Sequence, residues 1–113
     1  MNVYTDQVGA VSVVRVGDPR LTYPLLPEFS STVTRLLSQG SREILIDLAP
    51  VTYLDSAAIG CLMDLFRQIN HAGGCLKLSG VQPRVQALLT LTGTQHFIEI
   101  HADESAAISS FGA

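Results

Sequence analysis

Asp55 and Ser56 are the two residues of this chain best placed to do chemistry. They follow Val51-Thr52-Tyr53-Leu54 and precede Ala57-Ala58-Ile59-Gly60-Cys61-Leu62-Met63-Asp64-Leu65-Phe66. Apolar residues then recur at Ile59, Leu62, Met63, Phe66 and Ile69, the spacing of one buried helix face. A carboxylate and a hydroxyl therefore stand at the mouth of a helix expected over about Ala57 to Ala72. There the first N–H groups lack intrahelical partners, and aligned peptide dipoles concentrate partial positive charge. Two uses follow. Ser56 or Asp55 can accept an orphan N–H bond as the N-cap, worth ~1 kcal/mol. Alternatively Ser56 can carry a phosphoryl group, whose roughly −1.5 to −2 charges such a terminus welcomes and Asp55 opposes. Spacing alone favours the cap and leaves both open.

Other chemistry finds little support. No Gly-x-Ser-x-Gly elbow surrounds Ser56, and no histidine has an evident reason to pair with it. Walker A and Gly-x-Gly-x-x-Gly sequences are absent. His71, His96, His101, Cys61 and Cys75 lack metal-ligand spacing, so neither a metal nor a cofactor is expected. Both cysteines sit in apolar patterns, as small hydrophobes do in a reducing compartment. Asp47 either fastens the loop after it or joins Asp55 in a small acidic cluster, and the loop role is the commoner one. Ser56 makes better sense as a substrate than as a nucleophile.

The elements that must position this helix mouth are legible on both sides. Glu43 to Leu48, too short for a helix and rich in strand formers, delivers the chain to it. Upstream, Val11 to Val16 reads as a strand, with Val3 and Tyr4 beginning a partner that turns near Gly9. Pro24 and Pro27 open a helix with a face of Leu26, Phe29, Val33, Leu36 and Leu37, stopping at Gly40. Downstream, Cys75 to Ser79 is a strand with Leu76 and Leu78 on one face and Lys77 on the other. Pro83 starts a helix with Val85, Leu88 and Leu89 inward, Phe97 to Ile100 is a last strand, and Asp103 caps a terminal helix carrying Ala107, Ile108 and Phe111. The expected fold is α/β, one domain over residues 1–113, a mixed β-sheet with parallel core strands and about four α-helices packed on it. Its expected core is Ile44, Ile46, Leu54, Ile59, Leu62, Met63, Phe66, Leu76, Leu78 and Leu88.

Composition narrows the function classes. At 113 residues with 47% apolar content, the chain can build one real core. A net charge of −3 offers no basic field, which disfavours nucleic-acid binding. The charged share is only 15%, low enough to suggest a neutral or apolar face awaiting a partner. No apolar run approaches the ~20 residues of a membrane span, and the N-terminus does not read as a signal peptide. A cytoplasmic location without direct membrane insertion is expected.

Ile46-Asp47-Leu48, Val51 to Ser56 and Ile59-Gly60 resemble the STAS domain family, in particular bacterial anti-sigma factor antagonists. The strand Gly74-Cys75-Leu76-Lys77-Leu78 and the turn Leu91-Thr92-Gly93 extend the likeness over nearly the whole chain. In that family the serine directly after the aspartate is phosphorylated by an anti-sigma kinase, which the resemblance carries onto Ser56. Ala57 stands where the family has a second hydroxyl residue, and Ala58 where it has glycine. Thr22 stands where an aspartate usually lies near the serine, with Asp18 in the preceding loop the nearest carboxylate.

The resemblance implies a phosphorylation-controlled, non-enzymatic interaction module. Its partners would be an anti-sigma factor and serine kinase of the histidine-kinase-like ATPase type, and a serine phosphatase. The partner face would comprise Asp55, Ser56, Ala57, Ala58, Gly60, Cys61, Asp64 and Gln68. Small residues there permit close approach, and Asp64 adds a polar contact. Two alternatives dock constitutively through the same helix: a STAS subunit of a lipid-transport ABC complex, and a STAS signalling scaffold. An enzyme is the remaining alternative, from another class.

Overall fold

Runs of β-branched and aliphatic residues form the strands of the computed structural model, which describes residues 2–112. β1 (Val3–Val8) and β2 (Val11–Val16) make an antiparallel hairpin turning at Gly9. β2 then pairs in parallel with β4 (Glu43–Asp47), β4 with β6 (Cys75–Ser79), and β6 with β7 (Glu99–His101). The five-stranded order is β1-β2-β4-β6-β7. Parallel neighbours need crossovers. These are supplied by α1 (Leu26–Ser38), α2 (Ser56–His71) and α3 (Pro83–Leu91), and α4 (Glu104–Ser110) closes the described chain. The expected α/β class, mixed sheet and four helices are all present.

One element escaped the sequence reading. β3 (Arg20–Leu21) pairs in parallel with β5 (Tyr53–Leu54), forming a two-stranded clip at the carboxyl ends of the central strands. Two residues show no period, so no pattern could announce it. Thr52 reinforces the clip, its N–H donating to Pro19 O at 2.8 Å and its hydroxyl to the same oxygen at 3.2 Å.

The main core lies between the sheet and α1 to α3, with Phe29, Val33, Ile44, Ile46, Leu62, Leu65, Ile69, Leu78 and Leu89 fully buried. Four of the expected core residues are only half-buried: Ile59, Met63, Phe66 and Leu88. On α2 the innermost line is instead Ala58, Leu62, Leu65 and Ile69. The apolar arc of this helix is wider than one contact line, and the helix settles with Ile59, Met63 and Phe66 on its flank. There Phe66 meets Phe97 edge-on, ring centroids 6.2 Å apart. Gly74 marks a close approach of the α2–β6 turn to the residue before β4, since a Cβ there would lie 2.5 Å from Arg42 O.

The opposite sheet face is smaller and held differently. Val11, Val13, Leu45 and Ala107 form its apolar centre beneath α4. Arg15 bridges Asp6 at 2.6 Å, Asp47 at 2.9 Å and Glu104 at 2.5 Å. These carboxylates, Glu104 first, hold the guanidinium proton more tightly than in a free arginine, against the opposing effect of burial. Lys77 does alternate away from Leu76 and Leu78, yet it is 5% exposed because α4 covers it. Its ammonium donates to Ser110 O at 2.9 Å and lies 4.8 Å from the Phe111 ring centre.

Candidate functional site

Asp55, in extended backbone, is the N-cap of α2. Its Oδ1 accepts from Ala58 N–H at 2.8 Å, while Oδ2 accepts from Tyr23 N–H at 2.9 Å, tying the start of α2 to the turn before α1. That second bond spans thirty-two positions of chain. The carboxylate thereby takes the capping role that sequence left open between two residues, and Ser56 becomes the first helical residue, exposed to solvent. Asp47 fastens the following loop, accepting from Ala49 N–H at 2.9 Å, and pairs with Arg15. Its two oxygens are thus both engaged, one by the loop and one by Arg15. Asp18 accepts from Arg20 N–H at 2.9 Å, a local turn bond, and Thr22 precedes the 3-10 turn Tyr23–Leu25.

The expected partner face divides. Ser56, Ala57, Gly60, Asp64 and Gln68 all lie exposed along α2, and Asp64 pairs with Arg67 on the same surface. A Cβ added at Gly60 would meet nothing within 4 Å, so the helix is open to close approach there. Ala58 does not belong to this face. It is fully buried, because its N–H must reach Asp55 while its methyl packs inward with Leu62. Its Cβ therefore presents no obstacle to an incoming protein. Cys61 is half-buried against the core. Burial and then Asp64 push its thiol up, with a Ser30 hydrogen bond opposing them, so it is not a poised thiolate. Cys75 is likewise pushed up, chiefly by burial.

These positions make a separate prediction about stability. Asp55→Ala should cost about 1–2 kcal/mol, through loss of the cap and an orphaned Tyr23 N–H. Ser56→Ala should change stability by less than about 0.5 kcal/mol. Urea unfolding of both variants checks this, and equal losses would return the cap to Ser56.

The profile of the STAS domain family matches residues 2–107. The chain belongs to the STAS domain family. Over 101 residues this STAS domain is 26% identical to the anti-sigma-B factor antagonist of Staphylococcus aureus strain NCTC 8325, covering 89% of this chain and 93% of that protein. It is 29% identical over 82 residues to the anti-sigma-B factor antagonist of Bacillus subtilis strain 168, covering 73% and 74%. Among solved structures, an anti-sigma-factor antagonist (STAS) domain protein from Planctomyces limnophilus superposes with a TM-score of 0.88 at 22% identity, covering 98% of each chain. That likeness shows the fold. Among the described residues no group of histidine, cysteine, aspartate or glutamate side chains could hold a metal ion. No helix there is long and apolar enough to cross a membrane.

The sequence reading missed the clip around this site. Arg20 lies over the Tyr53 ring, its guanidinium carbon 4.9 Å from the ring centre. Only the β3–β5 pairing sets them side by side, so no local signal could have found the contact.

Proposed function

We propose that this STAS domain is an anti-sigma factor antagonist switched by phosphorylation of Ser56. The observation that carries the reading is the division of labour at the mouth of α2: Asp55 holds the cap, leaving the Ser56 hydroxyl exposed and free of that duty. Phosphorylating it therefore removes no cap. The named relatives support the same role.

Unmodified, the exposed line from Ser56 through Gly60 and Asp64 to Gln68 docks on an anti-sigma factor that is also a serine kinase of the histidine-kinase-like ATPase type. The kinase transfers the γ-phosphoryl of ATP to Ser56 Oγ: a new P–O bond forms, the β–γ bridge breaks, the hydroxyl proton passes to a kinase base, and ADP leaves. The phosphate adds up to two negative charges beside Asp55, within the contact at the first residue of α2. Desolvating that charge without a partner drives release. A serine phosphatase restores the binding form by hydrolysis.

The test incubates the full chain with ATP and each recombinant anti-sigma kinase of the source cell, followed by intact mass. One added phosphate on the wild type and none on Ser56→Ala is expected. Equal phosphate on Ser56→Ala, or none on the wild type with any of these kinases, would overturn the switch. Binding without phosphate would point instead to constitutive docking.

A further inference from the structure

We propose that the docking footprint continues from α2 across Tyr53 onto α3, where a groove receives an acidic and apolar segment of the anti-sigma factor. This rests on the reading of Ser56 given above and extends it to a second contact.

The groove has a volume of about 580 Å³ and is lined by Tyr53, Arg84, Ala87, Leu88 and Leu91. Leu91 is 83% exposed and Tyr53 39%, an apolar surface that the fold itself leaves uncovered. Tyr53 stands three residues before Ser56, and an extended chain spans at most about 3.6 Å per residue. Their Cα atoms are therefore within about 11 Å, and one partner can cover both.

Charge selects the occupant. Arg84 lines the groove, and Arg20, outside that lining, stands over the Tyr53 ring beside it. Among the described residues neither arginine pairs with a carboxylate; Arg35 and Arg42 are likewise without one but lie away from this groove, and Arg15, Arg67 and Lys77 are paired. In a chain of net charge −3, two unpaired guanidiniums beside an apolar floor match a segment that offers a leucine or phenylalanine next to aspartate or glutamate. A second copy of this chain fits badly, because a two-fold contact of the groove with itself brings two arginines and no lining carboxylate together. Anionic membranes are held by clusters of about four to eight basic residues, and this clip has two.

The experiment measures the Kd of full-length variants for the kinase that phosphorylates Ser56, by titration calorimetry. Leu91→Ser and Arg84→Glu should each weaken binding about tenfold with unchanged melting temperature, since both side chains are exposed. Arg35→Glu, an exposed control on α1, should bind as the wild type does. Added salt should weaken the wild type more than Arg84→Glu. Both groove variants binding within about twofold of wild type, while Gly60→Arg abolishes binding, would overturn the α3 contact and leave the α2 reading standing. An equal loss in Arg35→Glu would reduce the effect to net charge and overturn it too. So would sedimentation with phosphatidylserine vesicles that Arg84→Glu abolishes. If no kinase binds the wild type, both readings fall together.

Discussion

Ser56→Asp is expected to weaken binding to the anti-sigma kinase at least about thirtyfold, while Ser56→Ala changes it less than about threefold. The ranking follows from charge. An unpaired carboxylate desolvated within an interface costs about 2–5 kcal/mol, and every 1.4 kcal/mol is a factor of ten. Loss of a hydroxyl that carries no cap costs far less. Neither change should alter stability much, because Asp55 keeps its bonds to Ala58 and Tyr23 in both variants. Gly60→Arg provides the independent check. Nothing lies within 4 Å of the added Cβ, and replacing a mid-helix glycine should raise helix stability by up to about 1 kcal/mol. A variant that melts no lower than wild type yet fails to bind would locate the contact on this face. Equal affinity of wild type and Ser56→Asp would sink the switch.

Leu62→Ala should be the more damaging substitution inside the protein, at about 2.7–5 kcal/mol. Leu62 is fully buried on the inner line of α2, and the sheet and flanking helices cannot close the cavity without moving strands. Against a total stability of about 5–15 kcal/mol, this brings the fold near its limit. Phe66→Ala should cost less than Leu62→Ala despite removing a larger group, since Phe66 is half-buried and its edge contact with Phe97 lies at the rim. Chemical denaturation of both variants orders them. A larger loss for Phe66→Ala would mean that α2 is rotated from the position described.

The rotation of α2 shows where a sequence stops being informative. Ile59, Leu62, Met63, Phe66 and Ile69 announce a helix with one apolar side, and the helix is present. The same arc also holds Ala58 and Leu65, and its inner line is chosen by what the helix packs against. Periodicity specifies the element and its approximate face; the sheet beneath specifies the contact to within one residue.

What the amino-acid order by itself determined is local. Alternation and helical spacing placed the four helices and the longer strands, because each pattern is complete within one short segment; the last strand, expected over Phe97 to Ile100, runs instead from Glu99 to His101 because Phe97 closes a 3-10 turn. Asp55 and Ser56 were legible as a helix mouth for the same reason. Which of the two would cap was not, since both side chains can accept an N–H bond and only the tertiary fold brings Tyr23 N–H to the Asp55 carboxylate. The same holds for the clip of Arg20 on Tyr53, made by two strands too short to have a period. It holds most plainly for Arg15, whose partner Glu104 is eighty-nine positions away. An ion pair at such a distance leaves no local pattern to detect, and its geometry exists only once α4 has been laid against the sheet.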